Sequence, residues 1–163
     1  MRTACLAIAV ALIMASCTST PTQYSATTED PYGDAAIRMT LTSVDRLFGN
    51  PKGIYAELKN LTQQPVTVVW NRSSIDDNSG SHPVFLAGMK YIDAGRGVPD
   101  RLIPAGSFIS AGVYPADRVS FVGSKWVMLG LYDGPISLTL CVLVGGQERF
   151  YTLRTDTTKP LPQ

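Results

Sequence analysis

The sequence predicts an all-β protein, a β-sandwich of about seven or eight short antiparallel strands in a single domain. Three observations lead there. From residue 36 onward apolar and polar residues alternate in short stretches, the period of a half-buried strand, and nowhere does the longer period of an amphipathic helix persist. Turn formers separate these stretches, with 14 Gly and 11 Pro spread over 163 residues. Seven Tyr and a scarcity of Glu and Lys tilt the composition from helix toward strand. With 45% of its residues hydrophobic, a chain of this length fills one core.

The first element is a leader. Met1-Arg2 gives a short positive start, and Cys5 to Ala15 (CLAIAVALIMA) is an uncharged apolar run of secretory-signal length. It is too short to cross a bilayer as a helix, which takes about 20 apolar residues. The run ends in Met14-Ala15-Ser16-Cys17, which resembles the bacterial lipoprotein signal, where two small residues precede a lipid-modified Cys. The resemblance implies removal of residues 1–16 and diacylglycerol on the Cys17 sulfur, so that membrane lipid is a partner through an acyl anchor. Met14 stands where Leu is usual. Thr18 follows the Cys, whereas the inner-membrane retention signal of these lipoproteins is Asp there. The resemblance therefore points to the outer membrane, with the domain facing the periplasm. An ordinary signal peptide cut at an Ala-x-Ala-like site is the alternative. So is a disulfide between Cys17 and Cys141, the pair that remains once Cys5 has left.

Residues 17–35 follow as a tether: Thr18 to Asp34 is rich in Thr, Ser and Pro and has no apolar period. As a flexible coil it would hold the domain about 20 to 25 Å from the bilayer. The sandwich domain is expected over 36–155, with a disordered tail over 156–163. Ile37, Met39 and Leu41 alternate with Arg38, Thr40 and Thr42 in a first strand. Ile54, Ala56 and Leu58 repeat the scheme. After the polar turn Asn60 to Pro65, Val66 to Trp70 is a β-branched strand, expected to pair antiparallel with the one before it. Asn71 to Ser81 (NRSSIDDNSGS) is dense in turn formers, so only a short strand is expected at Val84 to Leu86. Gly88 to Ser107 reads as a long loop, Phe108 to Val113 as a strand, and Phe121-Val122 and Trp126 to Leu131 as two more.

The last hairpin carries the clearest signal. Ile136 to Val144 and Gln147 to Arg154 flank Gly145-Gly146, a two-residue loop suited to positive φ. That loop length pairs Val144 with Gln147, Val142 with Arg149, Leu140 with Tyr151 and Leu138 with Leu153, giving one apolar face. Cys141 then falls opposite Phe150 on the other face, a place for a shielded thiol. A strand, a polar turn, a strand ending in Trp70, and Ile103-Pro104-Ala105-Gly106-Ser107 leading into another strand resemble the immunoglobulin-like domains of small bacterial envelope proteins. The resemblance covers most of residues 36–155 and implies an immunoglobulin-like topology. The Cys…Trp…Cys set of true immunoglobulin domains is missing.

Chemistry is sparse. A net charge of +1 with dispersed basic residues gives no footprint for nucleic acid, and no glycine-rich phosphate motif occurs. There is no G-x-S-x-G elbow or Ser-x-x-Lys pattern. His82, the one imidazole, sits between Ser81 and Pro83 with no partner visible in sequence. Asp76-Asp77-Asn78-Ser79-Gly80 begins like a calcium loop, but Gly80 occupies a ligand place and Ala87 stands where a bidentate Glu belongs, so a hairpin turn is expected. The cysteine spacing suits neither zinc nor a redox pair. No metal and no cofactor are expected. Lys90, Tyr91, Arg96 and Arg101 make the Gly88 to Ser107 loop the candidate contact surface. These observations favour a non-enzymatic protein-binding or structural component of an envelope or secretion assembly, with an envelope protein as partner. A small-ligand or inhibitor-type binding module comes second, and an enzyme using His82 third.

Overall fold

The computed structural model describes residues 22–26, 32–47, 50–90 and 97–158. They form two sheets packed face to face, antiparallel but for one parallel edge strand, an immunoglobulin-like sandwich. In chain order the strands are β1 (Thr22–Ala26), β2 (Tyr32–Gly33), β3 (Ile37–Leu47), β4 (Asn50–Asn60), β5 (Val66–Asp77) and β6 (Gly80–Leu86). β7 (Arg101–Ile103), β8 (Phe108–Pro115), β9 (Val119–Val122), β10 (Lys125–Met128), β11 (Pro135–Val144) and β12 (Gln147–Asp156) follow. The first sheet runs β1-β12-β11-β5, and the second β8-β4-β3-β2. β6 serves both, pairing β5 through Gly80 to Pro83 and β8 through Val84 to Leu86. Such a strand makes the corner of a sandwich. β9 and β10 pair only with each other and stand outside the two sheets.

The alternation read from the sequence fills the core. Ile37 and Met39 from β3, Ile54 and Leu58 from β4, Val68 and Trp70 from β5, and Leu138, Leu140, Tyr151 and Leu153 from the last hairpin are all buried. The β11–β12 register has the four pairs expected, with Cys141 opposite Phe150. Gly145 and Gly146 take φ of 58° and 79°, as a two-residue turn matched to strand twist requires. Cys141 is free and fully buried, and burial first, then the charge of Glu148, push its thiol pKa up.

Four local expectations need correction. β4 and β5 do not pair: β4 lies between β3 and β8, and β5 beside β11. Alternation is the same whether a polar turn closes a hairpin or carries the chain to the opposite sheet, and here Asn60 decides. Its buried amide donates to the carbonyls of Gln64 (2.8 Å), Ile103 and Pro104 (both 3.1 Å), while its oxygen accepts the Thr62 N–H at 2.9 Å, fixing an arch.

Residues 71–77, expected in a turn, continue β5 beyond a wide bulge. Thr139 pairs with Ser74 and Cys141 with Val69, so Trp70 to Ser73 swell out opposite Leu140. The Ser73 hydroxyl closes the gap by donating to the Val69 carbonyl (2.9 Å) and accepting the Cys141 N–H (3.1 Å). The long loop contains β7, which pairs Arg101 to Ile103 with Val68 to Val66. The tether also contributes structure, because Thr22–Ala26 runs parallel to β12 and Tyr32–Gly33 pairs with β3. Strand pairing on an open sheet edge demands backbone groups rather than apolar side chains, so composition gave no sign of it.

Strand directions sort the turns into two ends. At the entry end, β1 begins opposite Arg149, beside the Asn60–Pro65 arch, the Pro104–Ser107 turn and Gly145-Gly146. At the hairpin end lie the Asn78-Ser79 turn, a single 3-10 turn at Ala116–Arg118, and β9–β10. Ten-residue strands such as β11 separate the two ends by about 30 Å.

Candidate functional site

The polar groups concentrate at the hairpin end, around Asp77. The tight β5–β6 turn sets Asp77 opposite Gly80, so its Oδ1 accepts both the Ser79 N–H (2.7 Å) and the Ser79 hydroxyl (2.6 Å). Its Oδ2 accepts the Arg118 guanidinium (2.8 Å) and the Tyr132 N–H (2.9 Å). His82 enters from β6 with Nε2 3.3 Å from Asp77 Oδ1 and 3.2 Å from the Ser79 hydroxyl, and Nδ1 2.8 Å from Asp117 Oδ2. Arg118 also donates to the Gly130 carbonyl (2.9 Å) and to the Ser79 hydroxyl, and its guanidinium lies 4.9 Å from the centre of the Tyr132 ring. The Asp77 side chain is wholly buried and that of His82 is 8% exposed, while half of the Asp117 side chain meets water.

These contacts set the charges. Burial raises the Asp77 pKa, but the hydrogen bonds from Ser79, Tyr132 and His82 outweigh it and hold the carboxyl well below the usual range. For His82, burial disfavours the charged ring, yet hydrogen bonding to Asp117 and Asp77 prevails and lifts its pKa above the ordinary 6.5.

Asp117, His82 and Ser79 are connected in the order of the acid, base and nucleophile of a serine hydrolase. The protons are placed against that chemistry. Ser79 gives its proton to Asp77 rather than to His82, and its oxygen faces Arg118. Both His82 ring nitrogens face carboxylate oxygens, Nδ1 that of Asp117 and Nε2 that of Asp77, so neither is left as a free acceptor for the Ser79 proton. The cluster instead locks elements together, since it ties the β5–β6 turn to the 3-10 turn and to the chain leaving β10.

What it locks is the β9–β10 hairpin. Trp126 pins the hairpin to the sandwich, with its ring edge-on to Phe85 (4.8 Å) and Phe121 (5.0 Å) and its indole N–H donating to the Met89 carbonyl (3.1 Å). Leu129 N–H bonds the Arg118 carbonyl (2.8 Å) and Leu131 N–H the Pro51 carbonyl (2.7 Å), returning the chain to the core. The register puts Val122 and Val127 on the face away from Trp126, and they are 62% and 42% exposed. Leu129 and Tyr132 just beyond are 62% and 59% exposed. This is a held, outward-facing surface on which exposed valines sit opposite Ser120 and Lys125, with Leu129 and Tyr132 extending its apolar part.

Cys17, Tyr91 and Arg96 lie outside the described residues. Lys90 and Arg101 are exposed, and Arg101 begins β7. His82 is in the network, although Asp117, which holds it, and Arg118 and Tyr132, which hold Asp77, come from segments that sequence alone left as turns or gave no role. They stand 35 to 55 residues from their partners, and no local spacing could join them. Among the described residues no helix is long and apolar enough to cross a membrane, and no group of His, Cys, Asp and Glu is arranged to hold a metal ion.

No protein-family model matches the chain, and no curated protein does. Among solved structures, it is similar to a chain of the Salmonella enterica SafA pilin in complex with the SafB chaperone. That match has 11% identity and a TM-score of 0.41, over 82% of this chain and 57% of that one. It is also similar to the YadV chaperone at 10% identity and a TM-score of 0.34, over 88% of this chain and 53% of the other. The chain spans little more than half the length of either.

Proposed function

We propose that this chain is a lipid-anchored, non-enzymatic protein of the bacterial cell envelope that binds another envelope protein through the β9–β10 hairpin. The carrying observation is that hairpin. It stands outside both sheets, is pinned on one face by Trp126, and leaves Val122, Val127 and Leu129 in water on the other. A soluble domain keeps an apolar surface on a rigid support where it is covered by a partner. The anchor rests on Met14-Ala15-Ser16-Cys17, and Thr18 favours the outer membrane, with the domain facing the periplasm. In this reading His82 is structural, held between Asp117 and Asp77.

The two halves of the proposal have separate tests. Metabolic labelling with a radioactive fatty acid should mark the wild-type chain and not Cys17→Ser; a labelled Cys17→Ser chain sinks the anchor. A photo-crosslinking residue at Val122 should capture one dominant envelope protein in cells, whereas the same residue at exposed Ser110 on β8 should not. Equal capture at both positions, or none at Val122, removes the hairpin as the binding surface.

A further inference from the structure

We infer that the entry end of the sandwich lies directly against the bilayer that holds the Cys17 lipid, with Phe108, Leu102, Arg38 and Lys59 meeting the headgroup layer. This rests on the reading of Cys17 as lipidated. The first support is length. β1 begins at Thr22, and five peptide steps from Cys17 reach at most about 18 Å even when fully extended. Because β1 runs parallel to β12 from Arg149 onward, the chain enters at the end that carries the Gly145-Gly146 turn, not at the hairpin end.

The second support is what that end displays. Phe108 and Leu102 flank the Pro104–Ser107 turn and are 58% and 59% exposed, each from a different sheet. Arg38, Lys59 and Phe108 occupy one row across β3, β4 and β8, side by side on the outer face. Arg38 and Lys59 are directly opposed like charges, an arrangement that costs stability in water. Neither has an ion-pair partner among the described residues; the nearest acid on that face is Glu57, one place further along β4. Arg101 is exposed on β7 beside Asp100. Two adjacent cations with no ion-pair partner among the described residues, beside exposed Phe108 and at the same end as exposed Leu102, suit an anionic phospholipid surface, where the charges meet phosphates and the apolar groups reach the acyl boundary. The Val122 face then points away from the membrane, toward the proposed protein partner.

The test uses mature full-length protein in vesicles of phosphatidylethanolamine and phosphatidylglycerol. An environment-sensitive fluorophore is placed at Ala105→Cys in the entry-end turn or at Ser124→Cys in the β9–β10 turn; buried Cys141 escapes labelling, and so does a thioether-linked Cys17. Nitroxide-bearing lipids should quench the label at 105 several-fold more than the label at 124. Arg38→Glu with Lys59→Glu should bring quenching at 105 down to the level at 124. Equal quenching at the two sites in lipidated wild type, or stronger quenching at 124, overturns the orientation alone. The mass of the N-terminal peptide is read first: an unmodified Cys17 overturns the lipid reading and this inference with it.

Discussion

Each end of the sandwich is closed by a carboxylate that binds two backbone N–H groups and an arginine, yet the two clasps differ in burial and in what they hold. At the entry end Asp34 accepts the Ala36 and Ile37 N–H groups at 2.7 and 2.8 Å, the Arg149 guanidinium at 2.9 Å and the Tyr151 hydroxyl at 3.2 Å. This joins the start of β3 in one sheet to β12 in the other. Its side chain is 15% exposed and that of Arg149 31%, so water screens the pair. Asp77 at the hairpin end is wholly buried, and it adds His82, whose pKa is lifted above its ordinary value by hydrogen bonds to Asp117 and Asp77. The entry-end clasp fastens sheet to sheet, whereas the hairpin-end clasp fastens the sandwich to an appendage.

That contrast can be broken by mutation. Asp77→Ala should have the largest effect, a loss of about 3 to 5 kcal/mol in urea unfolding, because it takes from Arg118 its carboxylate partner and from His82 one of two. Asp34→Ala should cost less, about 1.5 to 3 kcal/mol, since its charged partner Arg149 is partly exposed and can turn to water. If the two losses are equal, burial is not what separates the clasps. Next comes pH. The folded pKa of His82 is raised, so its contribution is full below the unfolded value near 6.5 and is lost as pH climbs through the folded value. The folded pKa of Asp77 is depressed, so its contribution is present above about 4 and is lost in acid. The thermal midpoint should therefore fall from pH 6 toward pH 8, and His82→Gln should flatten that fall while Asp34→Ala leaves it unchanged. A wild-type midpoint that rises over this range contradicts the cluster. The smallest effect on stability belongs to Val122→Ser with Leu129→Ser, about 0.5 kcal/mol or less by urea unfolding, because both side chains already meet water. The same pair should abolish crosslinking to the partner.

Legibility followed locality. The β11–β12 hairpin was readable to the residue because a two-residue Gly-Gly loop fixes register and alternation then fixes the faces. The same alternation misassigned β4 and β5 as partners, since period two reports burial on one side and not which strand lies alongside. Asp76 to Gly80 was readable as a turn, yet nothing in it announced that Asp77 would gather Arg118 and the Tyr132 N–H. The exposed face of the hairpin was likewise hidden, for Val122 and Val127 look like core residues until the register shows that Trp126 occupies the inner side.

By itself, then, the sequence determined the strand class and the last hairpin with the shielded thiol at Cys141, because each depends on residues within a few positions of one another. Tertiary structure decided which sheet each strand joins, which carboxylates are buried, and which apolar side chains stay in water. Those outcomes depend on side chains tens of residues apart reaching the same few ångströms. It also moved the start of the folded domain back to Thr22, and so brought the sandwich closer to the proposed anchor at Cys17 than the composition of that stretch implied.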